Sequence, residues 1–141
     1  MEFRQVRRWS TRSVSCTVVG AAIVLSPARN VLAQSFPFGM ELLLDVDPMR
    51  GSKKIPVLDI GRNGAAEIEL WCNSVKAQLI IAGNTVTIIT GEMSARQCPP
   101  ERARADAELL EALNQATNWR MESSALVFTG GKELRFRVQT N

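Results

Sequence analysis

The side chains able to do chemistry are few. The chain has no histidine and no tyrosine, which removes the usual acid–base group near neutral pH. It has no Gly-x-Ser-x-Gly elbow and no phosphate-cradling glycine loop. Carboxylates, thiols and indoles remain. Glu67 and Glu69, two apart on one strand, face the same side and are the obvious pair for a carboxylate-only hydrolase. Asp45 and Asp47, with Glu41, could touch Ca²⁺, but they lack the EF-hand spacing and read more simply as solvated strand-end acids. Arg50, Lys53, Lys54 and Arg62 could form a cationic patch for an anionic envelope component; a solvated loop is the simpler reading. Trp71 and Trp119 could be a ligand platform or partner anchor, although aromatic packing between sheet and helix accounts for them equally in kind and more simply. This inventory predicts a non-enzyme with no catalytic residues, no cofactor and no metal.

The thiols say most. Cys16 lies in an N-terminal segment with the marks of an export signal, so Cys72 and Cys98 are the only cysteines expected in the mature protein. Arg4, Arg7, Arg8 and Arg12 form a positive head, Val14 to Leu25 an apolar run, and Val31-Leu32-Ala33 a cleavage site that leaves Gln34 first. The apolar run is shorter than the ~20 residues of a spanning helix. The surroundings of Arg7-Arg8 fit the twin-arginine pattern poorly, so the ordinary secretory route is expected. Residues 1–33 are therefore read as a secretory signal peptide and 34–141 as one domain, periplasmic or secreted, with no membrane span after cleavage. Two cysteines in an exported chain predict a Cys72–Cys98 disulfide.

Export also changes the charge argument. The chain has 17 Lys+Arg and 14 Asp+Glu; the signal holds five of the former and one of the latter, leaving 12 against 13 and a net charge of −1. The basic balance of the whole chain thus belongs to the targeting segment and gives no reason to expect nucleic acid as a partner.

The elements that must position these residues are mainly strands. Met40–Val46, Ile55–Ile60, Glu67–Cys72, Val75–Ile81, Thr85–Ile89, Ala125–Phe128 and Glu133–Val138 are apolar or alternating runs separated by Gly-, Asn- and Pro-containing turns. After Pro99-Pro100 the period changes. Residues 101–116 are good helix formers with an apolar stripe through Ala103, Ala107, Leu109, Leu110, Leu113 and Ala116. Leu110 and Leu113 are expected in the core. Thr117-Asn118 is read as the helix end. The expectation is α+β: a curved antiparallel sheet of six to seven short strands with one α-helix, about 100–117, packed on it.

The order of these motifs carries a resemblance. Cys72-Asn73, then Met93 and Cys98 ahead of the helix, then Ala107-Glu108-Leu109-Leu110 with Leu113, and finally Ala125-Leu126-Val127-Phe128 with Leu134-Arg135-Phe136, together resemble the META domain, the family of the heat-shock protein HslJ. The resemblance covers about residues 39–138. It departs where Trp71 replaces the family's usual Gly before Cys-Asn, and where Phe36 and Phe38 stand for a Trp-containing first strand. It implies a single-helix domain of exported or envelope proteins, with no catalytic mechanism to carry over. Three functional readings follow: a monomeric binding or envelope-stress module contacting a protein or envelope component, a purely structural accessory domain, or the carboxylate-only hydrolase.

Overall fold

A computed structural model describes residues 34–139; the signal-peptide reading concerns residues outside that range. Alternation of buried and exposed positions organises β2 to β5, because each of these strands buries one face. The strands are β1 (Met40–Leu44), β2 (Val57–Ile60), β3 (Ala65–Glu69), β4 (Ser74–Ala82), β5 (Thr85–Met93), β6 (Asn118–Glu122), β7 (Ala125–Thr129) and β8 (Leu134–Val138), with the helix α1 (Pro100–Asn114) between β5 and β6. All neighbours pair antiparallel in sequence order, and β1 pairs with β8, so the sheet closes into an eight-stranded barrel.

This corrects the expected fold. The sheet is neither open nor six- to seven-stranded, and the domain is a β-barrel with one helix rather than α+β. The difference is β6, which starts at Asn118, where the sequence reads as the helix end, and runs through residues to which the sequence assigns no element. Trp119 and Met121 alternate with Arg120 and Glu122 before the Ser123-Ser124 turn, which is a strand pattern. β6 pairs along its length with β7, from Asn118↔Thr129 to Glu122↔Ala125, and touches β5 only at Thr85↔Asn118. Two backbone hydrogen bonds, Val86 N to Thr117 O and Trp119 N to Asn84 O, both 2.9 Å, complete this narrow seam. α1 runs beside β5, and Thr90 Oγ1 donates to Asn114 Oδ1 at 3.1 Å.

The interior is filled by side chains, as an eight-stranded barrel allows. Leu42, Leu58, Ile68 and Val75 meet in register across β1 to β4. Phe136 lies between Leu44 and Leu126, and the Phe128 and Phe136 rings meet edge to face at 5.9 Å. The segment before β1 belongs to the core too. Phe36 is buried edge-on to Trp119 at 5.0 Å, and the Gln34 side chain both donates to and accepts from the Met121 backbone.

The helix face is partly as expected. Leu109, Leu113 and Ala116 are buried and Leu110 packs against the core half-buried, but Ala107 is exposed, and Asp106 and Ala112 are buried in its place. Among the described residues, no helix is long and apolar enough to cross a membrane.

Candidate functional site

The two cysteines meet as expected: their sulfurs are 2.06 Å apart across 26 positions of sequence. Cys72 lies in the β3–β4 turn and Cys98 just ahead of α1. The helix start needs this tie, since Pro99 stands at its cap and no side chain caps it.

A buried polar hub reinforces the tie. Asp106, wholly buried on α1, accepts from Cys72 N at 3.3 Å, Asn73 N at 2.8 Å and Asn73 Nδ2 at 3.1 Å. The buried Asn73 also donates to Cys98 Sγ at 3.1 Å and accepts from Ser94 Oγ and Arg96 N. The Cys72 and Asn73 backbone N–H groups and the Asn73 amide therefore find acceptors, and Asp106 finds the donors that a buried carboxylate requires to be tolerated. Asp106 was not singled out in the sequence. Its signal was its place on the apolar stripe, three residues before Leu109 and seven before Leu113.

The tie fixes one wall of a cleft at the barrel mouth. α1 contributes Ala105, Glu108, Leu109 and Ala112; Trp71 comes from the β3–β4 turn; Leu44, Asp45 and Val46 from the end of β1; and Lys132 to Arg135 from the β7–β8 turn. Its volume is about 180 Å³. Leu44, Leu109, Ala112 and Leu134 are buried and give it an apolar floor. Trp71 Nε1 is shut off from solvent and has no acceptor among the described residues. An unpaired buried donor costs about 1–3 kcal/mol, so an acceptor from outside the chain, water or ligand, stabilises this one.

The two tryptophans thus separate. Trp119 is a packing residue, buried, with its Nε1 donating to Gly83 O at 2.9 Å. Trp71 is the half-buried one at the cleft.

The other expected groups are not brought into a site. Glu67 and Glu69 stand on the outer face of β3; Glu69 pairs with Lys54 at 3.5 Å, and Glu67 borders a shallow depression opposite Lys76. Asp45 is taken by Arg135 at 3.3 Å and Arg137 at 2.9 Å, and among the described residues no cluster of three metal-ligating side chains forms. Arg50, Lys53 and Lys54 lie in the loop before β2, whereas Arg62 follows β2, and Lys54 is taken by Glu69. The arginines of β8 are neutralised, because Arg135 pairs with Asp45 and Glu122 and Arg137 with Asp45, and Arg120 on β6 pairs with Glu122 and Glu133. Hydrogen bonds from Arg120 and then Arg135 hold the Glu122 carboxyl below the usual carboxylate range, and the bonds to Glu122 and Glu133 hold Arg120 above its own.

Comparison with known proteins agrees with this architecture. No curated protein matches the chain. Two solved structures share the fold. One NMR structure is 17% identical, with a TM-score of 0.57, covering 71% of this chain and 89% of its own. Another, of a protein from Burkholderia xenovorans, is 15% identical, with a TM-score of 0.55, covering 74% of this chain and 84% of its own. The META domain family matches residues 44–141. That span holds the disulfide, the Asn73–Asp106 hub, the helix and the final hairpin that line the cleft, and the chain belongs to the META domain family.

Proposed function

We propose that the protein is an exported, non-enzymatic accessory module that works by contacting another protein at the barrel mouth. The observation that carries this reading is the cleft itself: apolar walls, an unpaired indole N–H on Trp71 and a volume of about 180 Å³. Pockets for drug-sized molecules run to roughly 300–1,000 Å³, so the cleft suits a single anchoring side chain better than a free metabolite. The carboxylate pair Glu67 and Glu69, on which a hydrolase would depend, does not converge in a cleft. Export is supported by the arginine-rich head, the apolar run and the Val31-Leu32-Ala33 site, and by a disulfide of the kind favoured in oxidising compartments. Gln34, the expected first residue after cleavage, is bound to the barrel through its side chain and the Met121 backbone.

A photo-crosslinking amino acid at Ala105, inside the cleft, tests the reading in intact cells. It should yield a discrete protein adduct in the periplasmic fraction, on a chain whose N-terminus is Gln34. The same group at Thr87, on the outer face of β5, should yield none. Equal labelling from both positions, or from neither, would leave a purely structural accessory role instead.

A further inference from the structure

Resting on the protein-contact reading above, we propose that the mouth cleft seats one apolar side chain of a partner polypeptide whose next residue is basic. Size sets the first half. About 180 Å³ equals roughly six water volumes of ~30 Å³ each, room for one leucine- or phenylalanine-sized side chain. Well-packed pockets of this scale are where partner proteins place their anchoring residues.

Uncommitted charge sets the second half. Asp45, Glu133 and Arg135 line the cleft but are already paired with Arg137, Arg120 and Glu122. Glu108 and Lys132 also line it and form no ion pair among the described residues. Glu111, one helical turn after Glu108 and beside the same Lys132, forms none either and accepts only from Gln115. The helix side of the cleft therefore presents Glu108, with Glu111 one turn beyond it in an adjoining depression, and Lys132 stands across from them on the β7–β8 turn; the carboxylate side complements a cation.

The third observation is Trp71. Its N–H lies shielded without an acceptor, so a ring turn that aims it at an incoming backbone carbonyl gains a hydrogen bond that the protein alone does not supply. Apolar seating, carbonyl acceptance and a flanking cation are together what a peptide segment offers. The exposed Ile80 and Ile89 are diagonal neighbours on the outer β4–β5 face and do not line this cleft.

Titration of the ¹⁵N-labelled, disulfide-intact protein with three blocked tetrapeptides tests this: acetyl-Gly-Leu-Lys-Gly-amide, its Leu-to-Ala form and its Lys-to-Glu form. The first should shift the Trp71 indole resonance and the Leu109 and Ala112 amides saturably, at millimolar concentrations. The alanine peptide should bind about tenfold more weakly or worse, given the apolar area lost. The glutamate peptide should bind several-fold more weakly, and Glu108→Gln, an exposed change that leaves the core intact, should bring the lysine and glutamate peptides to within about twofold. An unmoved indole resonance, or equal shifts from all three peptides, would overturn the proposal. If the peptides fail while the Ala105 crosslink persists, the occupant's chemistry is wrong and the protein-contact reading stands; if both fail, that reading falls too.

Discussion

Asp106 shows how one side chain decides whether the helix belongs to the barrel. A carboxylate in the middle of an apolar stripe is a poor choice unless its oxygens are engaged, because burial strips its hydration. Here both oxygens accept, from the backbone of the Cys72-Asn73 turn and from the Asn73 amide. The turn in turn needs Asp106, since the Asn73 N–H is buried with it. Asp106→Ala leaves these donors unpaired and should cost about 2–4 kcal/mol. Glu101→Ala, at an exposed position of the same helix, should stay within about 0.5 kcal/mol. Urea unfolding followed by far-ultraviolet dichroism checks both, and equal midpoints for the two variants would show that the hub is not a stabilising one. The pairing of Cys72 with Cys98 was legible in the sequence because elimination left two thiols. The partnership of Asp106 with Asn73 was not, because nothing local joins residues 33 apart.

At the level of elements, the outer face of the last two hairpin strands is held by charge rather than by a second layer. Val127 is fully buried although it points outward from β7, opposite Arg120 on one side and Arg135 on the other. The arginine stems roof it, and their guanidinium groups are fixed by Glu122 between them. Single exposed ion pairs contribute little, but this one shares a carboxylate between two arginines over an apolar residue. Because Glu122 is held below its ordinary range, its contribution is present above the unfolded glutamate range and is lost as pH falls through the lowered folded value. Arg120, held above its range, remains charged throughout. Calorimetry from pH 7 to about pH 3 should therefore show a shallower loss of Tm at the acid end for Glu122→Gln than for the parent. The difference should shrink in about 1 M salt. Superimposable acid limbs would remove the network from the stability argument. Period-2 alternation places Arg135 and Arg137 on one side of β8, yet says nothing about which acids on other strands meet them.

The domain over the described residues is a barrel with one weak seam, and the disulfide bears on it. Six strand runs of the hairpins were legible from alternation and turns, as was the β1 run, because each pairs locally. Closure was not, because it depends on β6, five residues long, whose start was absorbed into the helix end. The same feature makes the seam physically weak: β5 and β6 share one residue pair and two flanking backbone bonds, whereas β6 and β7 share five pairs. α1 lies beside β5 where strand pairing stops, and its start is held by Cys72–Cys98. Closing this loop of about 27 residues stabilises by roughly 3–4 kcal/mol in the chain-entropy model. Opening of the seam should then be a sub-global event, cheaper than global unfolding. Amide exchange in the oxidised protein should find Val86 and Trp119 less protected than Leu126 and Phe128 of β7. Reduction and alkylation of the cysteines should lower protection at Val86 and Trp119 more than at β7, since freeing the helix start removes what covers the seam. Uniform loss of protection across all four amides would show instead that the disulfide acts only on global stability, and that barrel closure does not depend on where the helix is tied.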